Sequence, residues 1–251
     1  MTGAKRFKLV LEYDGGPFVG WQRQENGPSV QGALEDAAFR LCALPCSTVA
    51  AGRTDAGVHA LAMTAHIDLP ARFDADTVRD ALNFHLKPLP VAVLDAREAP
   101  AGFHARFSAK ARRYLYRIAN RRAPLALDAG RAWRIGQRLD EGRMAAAGDT
   151  LTGCHDFSTF RAVHCQSASP VKTLTSLVVA RSEDRIDISV AAPSFLHHQV
   201  RSIVGTLCEV GLGRWRTEDV KTALEARDRA RCGPVAPPDG LYFVAADYET
   251  S

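Results

Sequence analysis

One short segment holds the residue types that chemistry at neutral pH needs. Residues 50–60 read AAGRTDAGVHA, in which two glycines, Gly52 and Gly57, bracket Arg53 and Asp55. In an extended chain the side chains of Arg53 and Asp55 share one side, because they are two residues apart. The opposite charge favours the ionised aspartate, which in a glycine loop can serve as a nucleophile or a general base. The spacing alone favours a simpler interpretation, a surface turn in which Asp55 caps a backbone group.

The elements around this segment follow the order of a split βαβ unit. Residues 6–13 alternate apolar and polar side chains, as a half-buried strand does, and Ser29 is placed to begin a helix. The remaining predicted elements are an apolar run at 49–51, a strand at 61–67, a helix at 73–86 capped by Asp74 and a strand at 91–96. Strand, helix, strand, strand, helix, strand is the order of a ferredoxin-like unit.

A basic strip follows in residues 99–127, which contain seven Lys or Arg residues and no acid. Aromatic side chains are interleaved with these charges. Because positive charge suits phosphates and rings suit unstacked bases, the strip favours RNA binding. The alternative is a solvated edge strand over residues 107–119 that its charges protect from aggregation. The basic residues are Arg106, Lys110, Arg112, Arg113, Arg117, Arg121 and Arg122, and the aromatic ones are Phe103, Phe107, Tyr114 and Tyr116.

The second half of the chain also mixes helices and strands. The predicted elements are a helix at 140–151, strands at 171–180 and 185–191 joined as a hairpin, a helix at 195–210, a helix capped by Thr217 and a strand at 240–248. In the helix at 195–210, His197 and Arg201 lie four residues apart and share a face. The alternative interpretation gives these residues no function: the two histidines lie at the surface, and the aliphatic part of the arginine side chain covers apolar surface.

Composition narrows the class of protein. The chain has 251 residues, 46% of them hydrophobic and 24% charged, with a net charge of +4, which is ordinary for a globular protein with a real core. No cleavable leader and no apolar run of membrane-spanning length is recognisable. The six cysteines form no Cys-x-x-Cys pair, so a zinc ribbon or a thioredoxin-like site is unsupported. Free thiols in a cytoplasmic setting are expected.

Several motifs resemble those of one known family. GRTDAGVHA, at residues 52–60, is similar to the motif of the TruA family of tRNA pseudouridine synthases, whose aspartate attacks the target nucleoside. Resemblance extends along nearly the whole chain. The further matches are GWQRQ at 20–24, FHARF at 103–107, RRYLY at 112–116, HDFSTFR at 155–161, FLHHQVRSIVG at 195–205 and the aliphatic Leu241.

The resemblance implies a role for each matching residue. Asp55 acts on the ribose or base of a flipped-out uridine, Arg201 is its charge partner, and Arg53 displaces or replaces the flipped base. Spacing leaves open whether Arg53 or Arg201 pairs with Asp55, and whether Asp55 attacks C1′ or acts through elimination at C2′. Tyr114 stacks on the substrate base, and Leu241 lies beside the site. The implied tRNA contacts are Phe103, His104, Ala105, Arg106, Phe107, Arg112, Arg113, Phe160 and Arg161.

The implied activity is isomerisation of uridine to pseudouridine at positions 38–40 of the tRNA anticodon arm, by a homodimer that needs no cofactor and no metal. The implied fold is α+β, with two ferredoxin-like (split βαβ) halves whose antiparallel sheets flank a basic central cleft. The first domain spans residues 1–105 and carries the aspartate loop. The second domain spans residues 106–251 and carries the basic strand and the His-His-x-x-Arg helix.

Two other classes of function use the same residues. The first is a non-catalytic RNA-binding module that uses the basic strip. The second is a metal-dependent hydrolase built on Asp55, His59 and two adjacent Cys-His pairs, Cys154-His155 and His164-Cys165. Neighbouring ligands seldom converge on one ion, so metal is not expected.

Overall fold

The structure, a computed structural model, describes residues 3–163 and 165–249. The described chain divides into two compact units, the first made of residues 3–112 and 242–249, the second of residues 113–241. The division after Arg112 lies later than the predicted boundary after residue 105. Arg112, the last residue before the division, donates hydrogen bonds from its guanidinium to the carbonyl of Ala51 in the first unit.

The first unit is built on an antiparallel sheet. Its elements in chain order are β1 (Ala4–Tyr13), α1 (Val30–Cys42), β2 (Thr48–Ala50), β3 (His59–Pro70), α2 (Ala75–Leu86) and β4 (Val91–Ala99). Strand β1 lies between β3 and β4 and is antiparallel to both, and β2 pairs antiparallel with β3. On β1 the side chains of Phe7, Leu9 and Leu11 are fully buried, which the alternating pattern of the sequence predicts.

Both helices of this unit begin where the sequence predicts. The hydroxyl of Ser29 accepts a hydrogen bond from the amide of Gly32 at 3.1 Å, and the carboxylate of Asp74 accepts one from the amide of Thr77 at 2.7 Å. Such caps satisfy amides that have no partner inside the helix. The two helices pack against each other.

The elements of the rest of the chain are again both helices and strands. They are β5 (Ala111–Ala119), β6 (Trp133–Arg134), α3 (Glu141–Asp149), β7 (Gly153–Asp156), β8 (Val171–Leu174), β9 (Ser176–Ser182), β10 (Arg185–Ala192), α4 (Gln199–Gly211), α5 (Thr217–Ala226) and β11 (Leu241–Asp247). In the second unit β10 lies between β5 and β9 and is antiparallel to β9, whereas β6 pairs parallel with β5. Strands β7 and β8 form a separate antiparallel pair.

Helix α4 begins at Gln199, so the prediction of a helix from residue 195 is wrong at its N-terminal end. His198 has a φ of +62°, a left-handed conformation that interrupts a right-handed helix. The side-chain oxygen of Gln199 accepts a hydrogen bond from the amide of Leu196 at 2.8 Å, which holds the turn before the helix. His197 therefore lies outside α4, and it shares no helical face with Arg201.

Two predicted strands also differ from the structure. The strand predicted at 171–180 is interrupted at Thr175, whose amide donates to the carbonyl of Ala191 at 2.8 Å. The part before Thr175 pairs with β7 and the part after it pairs with β10. The strand predicted at 107–119 begins only at Ala111, because a turn precedes it in which the amide of Ser108 donates to the carbonyl of His104 at 2.8 Å.

The last strand returns to the first unit. Tyr242 and Phe243 of β11 pair in parallel with His59 and Ala60 of β3, on the edge of β3 that β2 also uses. The architecture is thus α+β with mostly antiparallel sheets, and the ferredoxin-like description of the two halves stays a prediction. Across residues 3–163 and 165–249, no helix has both the length and the apolar character that crossing a membrane requires.

Candidate active site

Asp55 lies on a loop that begins where the chain leaves the sheet. The amide of Ala51 donates to the carbonyl of Thr64 on β3 at 2.8 Å, and residues 52–58, here called the aspartate loop, then lead to β3. The Asp55 side chain is half-buried and Arg53 is exposed. Asp55 is therefore a half-buried residue on a loop whose start is fixed to the sheet.

A glycine-tryptophan pair supports the buried side of the aspartate loop. The amide of Trp21 donates to the carbonyl of Thr54 at 3.0 Å, and the hydroxyls of Tyr13 and Thr54 are hydrogen-bonded at 2.9 Å. Gly20 has a φ of +115°, and a Cβ there would lie only 2.6 Å from the carbonyl oxygen of Thr54. Because only glycine allows this approach, the pair fixes the backbone that carries Asp55.

His59 packs beneath the loop. Its Nδ1 accepts a hydrogen bond from the amide of Gly15 at 3.0 Å and lies 3.2 Å from a carboxylate oxygen of Asp14. Its ring is buried and stacks on that of Tyr242 with 4.8 Å between centroids. These contacts give His59 a packing role, which weakens the hydrolase alternative that used it as a ligand. His164, another residue of that alternative, lies outside the described residues.

Arg112 holds backbone carbonyls of the first unit. Its Nε and Nη2 atoms donate to the carbonyl of Ala51 at 3.1 and 3.0 Å, and its Nη1 donates to the carbonyl of Ala109 at 3.0 Å. Its Nη2 also donates to the carbonyl of Arg106. One half-buried guanidinium thus joins the start of the aspartate loop to the chain that follows β4.

The FHARF segment, residues 103–107, is anchored at its middle. The amide of Ala105 donates to Nδ1 of His66 at 3.1 Å, and the carbonyl of Ala105 accepts a hydrogen bond from the hydroxyl of Tyr248 at 2.7 Å. The guanidinium of Arg6 donates to the carbonyl of Phe103 at 2.8 Å. Ala105 is fully buried, so its side chain anchors the segment and does not offer a surface to RNA.

The end of the same segment is exposed. The rings of His104 and Phe107 stack with 4.4 Å between centroids, and the Phe107 side chain is 75% exposed. The guanidinium of Arg106 is also exposed and lies 5.5 Å from the Phe107 ring centroid. An accessible ring beside a positive charge is the combination that single-stranded RNA binds.

The protonation states of His66 and Tyr248, the two side chains that bind Ala105, suit their hydrogen bonds. Burial lowers the pKa of His66, and the positive charge of Arg6 and the nearby His104 lower it further, so the neutral ring can accept from Ala105. Burial raises the pKa of Tyr248 to about 12, so its hydroxyl remains protonated and donates.

In the second unit, Tyr114 is the half-buried tyrosine of β5. Its ring meets that of Phe195 edge-on, with centroids 5.1 Å apart. Tyr116, two residues further, is fully buried, and its hydroxyl donates to the carbonyl of Pro237 at 2.8 Å. Tyr114 is therefore the more accessible of the two rings. Arg113 is exposed.

Arg201 lies on α4 against residues 233–237. Its Nε donates to the carbonyl of Ala236 at 2.8 Å, and the amide of Ala236 donates back to the Arg201 carbonyl at 3.1 Å. A Cβ on Gly205 would clash with the carbonyl oxygen of Pro234, so glycine is needed for this packing. Leu241, which follows this segment, is buried.

Phe160 and Arg161 have unlike environments. Phe160 is fully buried in the core of the second unit, so its ring is not placed to touch RNA directly. The Nη2 atom of Arg161 donates to the carbonyls of Cys165 and Ser167 at 2.7 and 2.8 Å. The thiol of Cys165 accepts a hydrogen bond from the amide of His197 at 3.3 Å. Phe160 is therefore a core residue, and Arg161 holds backbone carbonyls of the chain that follows it.

The structure assigns each predicted site residue to one of the two units. Asp55, Arg53, Arg112 and the FHARF segment belong to the first, and the second holds Arg113, Tyr114, Phe160, Arg161, Arg201 and Leu241. The supporting residues His66 and Tyr248 carried no signal in the sequence, because one histidine within a strand and one tyrosine near the end of the last strand are ordinary. Gly20 did carry a signal, through the GWQRQ motif.

Comparison with known proteins identifies the class. A family model described as tRNA pseudouridine synthase matches residues 147–249. Three curated relatives are each named tRNA pseudouridine synthase A. The protein of Rhodospirillum centenum is 59% identical over 244 residues, covering 97% of this chain and 100% of the relative. That of Afipia carboxidovorans is 58% identical over 243 residues, covering 97% and 99%, and that of Maricaulis maris is 55% identical over 243 residues, covering 97% and 98%.

These matches place the chain among the pseudouridine synthases, which are isomerases. Within that class the chain belongs to the TruA family of tRNA pseudouridine synthases. Membership of this family argues against both alternatives, the non-catalytic RNA-binding module and the metal-dependent hydrolase.

Proposed function

We propose that this protein isomerises uridine to pseudouridine at positions 38–40 in the anticodon stem-loop of tRNA, with Asp55 as the residue that attacks the flipped-out nucleotide. The full-length similarity to tRNA pseudouridine synthases supports the reaction. The observation that carries the assignment of Asp55 is its half-buried place on a loop whose backbone is held at Ala51 and at Thr54.

The reaction rearranges one nucleotide. The bond between N1 of uracil and C1′ of ribose breaks, the uracil turns, and C5 bonds to C1′ while the C5 proton is released and N1 takes up a proton. No electron or group leaves the nucleotide, so the balance requires no cofactor. The target uridine must leave the base stack, which costs a few kcal/mol, and stacking on an aromatic ring recovers about 1–3 kcal/mol. Tyr114 is our candidate for that ring.

Some of the other residues keep the roles that the resemblance implies, and the buried ones do not. Arg53 is exposed and lies two residues before Asp55 in the sequence, which suits a side chain that takes the place of the flipped base. Arg201 is proposed as the arginine that supports the charge of the aspartate. Phe107 and Arg106 are proposed to touch RNA through their exposed side chains, whereas the buried Ala105 and Phe160 are proposed to position their neighbours.

Tritium release tests the assignment of Asp55. With unmodified tRNA labelled at C5 of uridine, the wild-type protein should release tritium, and Asp55→Asn should release none while binding tRNA within a few-fold of wild type. Asp80→Asn is the matched control, because Asp80 lies on α2, is 69% exposed and pairs with Arg79 at the surface. Turnover by purified Asp55→Asn protein would remove Asp55 from the mechanism.

We also propose a cytoplasmic homodimer in which one tRNA contacts both subunits. The basic strip is long for a single pocket, and Arg161 lies well beyond it in the chain. Mixing Asp55→Asn chains with chains that cannot bind tRNA but keep their chemistry should give a heterodimer that behaves as neither parent. Sedimentation of a fully active monomer at the assay concentration would end the dimer proposal.

A further inference from the structure

The Arg112 guanidinium sits between two functional segments of the first unit. Its Nε and Nη2 atoms hold the Ala51 carbonyl, the point at which the chain leaves the sheet and enters the aspartate loop. The same Nη2 holds the carbonyl of Arg106 within the FHARF segment, and Nη1 holds Ala109. The N–H donors of one planar guanidinium thus bind both the loop that carries Asp55 and the segment proposed to touch RNA.

We propose that Arg112 is a positioning residue for Asp55 and that it does not bind tRNA phosphate. This proposal rests on the proposed function, because it assigns Arg112 to the same reaction. The basic strip suggested a phosphate contact from charge alone. The structure instead directs donors of Arg112 at three backbone carbonyls and leaves its side chain only half-buried.

The geometry explains why positioning at Ala51 matters for Asp55. The aspartate loop is held at its start by Ala51, whose amide is bound to β3 and whose carbonyl is bound to Arg112. It is held again at Thr54 by Trp21 and Tyr13. Arg53 lies between these two fixed points and Asp55 follows directly after the second. Without the Arg112 fork, the first fixed point keeps only its bond to the sheet.

Replacement of Arg112 by lysine distinguishes a positioning role from a phosphate-binding role. An ammonium group binds phosphate as a point charge, but it cannot reproduce the planar fork that reaches several carbonyls at once. A phosphate contact therefore tolerates Arg112→Lys, and a positioning contact does not. Displacement of a catalytic group by about 1 Å can lower the rate by about 100-fold.

The experiment measures kcat, KM and the salt dependence of tRNA binding. Arg112→Lys should lower kcat by about 10- to 100-fold, while the affinity for tRNA and the slope of log K against log salt stay at wild-type values. Binding is measured in an Asp55→Asn background, so that no turnover occurs during titration. Arg97→Lys is the matched control, since Arg97 is 77% exposed and pairs with Asp95 at the surface.

Arg106→Gln provides the contrasting pattern. Its exposed guanidinium is proposed to meet phosphate, so loss of the charge should weaken binding and reduce the salt slope by about 0.7–0.9. Arg112→Gln should leave the slope unchanged. Hydrogen–deuterium exchange adds an independent readout, in which the amides of residues 52–58 should exchange faster in Arg112→Lys than in wild type, with residues 113–241 unaffected.

A wild-type kcat in Arg112→Lys would overturn the proposal, and so would a reduced salt slope with an unchanged kcat. Arg112 would then be one of the residues that contact phosphate. If Arg112→Lys does not fold, the same measurements on Arg112→Gln decide the question. Absence of pseudouridine formation by the wild-type protein would defeat the proposed function instead, and hydrogen exchange would still test whether Arg112 holds the aspartate loop.

Discussion

The close approach of Gly20 to the aspartate loop leads to a quantitative prediction for Gly20→Ala. The added Cβ would lie 2.6 Å from the carbonyl oxygen of Thr54 and 3.1 Å from the carbonyl carbon of Asp55, whereas ordinary contact begins at 3.4 Å. Either the loop backbone retreats by about 0.8 Å or Gly20 moves. The residue would also keep a φ of +115°, where side chains are strained.

The magnitude follows from two costs. Backbone strain at such a φ costs about 1–3 kcal/mol, and overpacking by one methyl group costs about 1–3 kcal/mol. The free energy of unfolding should therefore fall by about 2–6 kcal/mol, and the melting temperature by at least about 4 °C. Because the displaced atoms adjoin Asp55, kcat should fall by up to about 100-fold.

Thermal melting and pseudouridine formation on unmodified tRNA measure both effects. Gly142→Ala is the control, because Gly142 lies in α3 and its added Cβ would come no closer than 3.4 Å to the Asp140 carboxylate. Alanine in a helix is slightly more stable than glycine, so this variant should keep wild-type activity. A Gly20→Ala protein with wild-type kcat and melting temperature would show that the approach of Gly20 does not constrain Asp55.

Three further predictions concern protonation, phosphate contacts and metal. The pKa of His66 is lower in the folded protein than in the unfolded chain. As the pH falls, the unfolded chain therefore binds a proton at this histidine before the folded protein does. Stability from this group is complete above about pH 6.5 and is lost as the pH falls below it. Thermal melts at pH 5.5 and 8 should differ less in His66→Gln than in wild type, and an unchanged difference would contradict the assignment. Replacement of the exposed Arg122 by Gln should lower the salt slope of tRNA binding by about 0.7–0.9 with kcat unchanged; an unaltered slope would show that Arg122 meets no phosphate. Dialysis against EDTA should leave activity intact, and one tightly held zinc per chain whose removal abolishes activity would revive the hydrolase alternative.

Local signals in the sequence were sufficient for most elements. Ser29, Asp74 and Asp140 each cap the helix that the sequence predicts after it, because a side-chain acceptor before an apolar periodic run is a local signal. The alternation on β1 is equally local. Such features need no knowledge of distant residues.

The features that the sequence did not predict depend on tertiary contacts. Helix periodicity extends through His197, but the turn before α4 is held from elsewhere in the second unit: the amide of Ala162 donates to the carbonyl of His197 at 3.0 Å. In the same way, sequence shows the charge of Arg112 but not the carbonyls that surround it. It shows the aromatic character of Phe160 but not its burial. Each depends on residues far away in the chain.

Because β11 returns to the first unit, residues 3–112 wait for a segment that is synthesised much later. Domains generally fold as the ribosome produces them, but this unit lacks part of its own structure until residues 242–249 emerge. Tyr242 supplies the ring on which His59 stacks, and Tyr248 supplies the hydroxyl that holds Ala105. A chain that stopped before Tyr242 would contain Asp55 without these supports. Synthesis through Tyr248 is therefore a condition for the complete surroundings of His59 and of the FHARF segment.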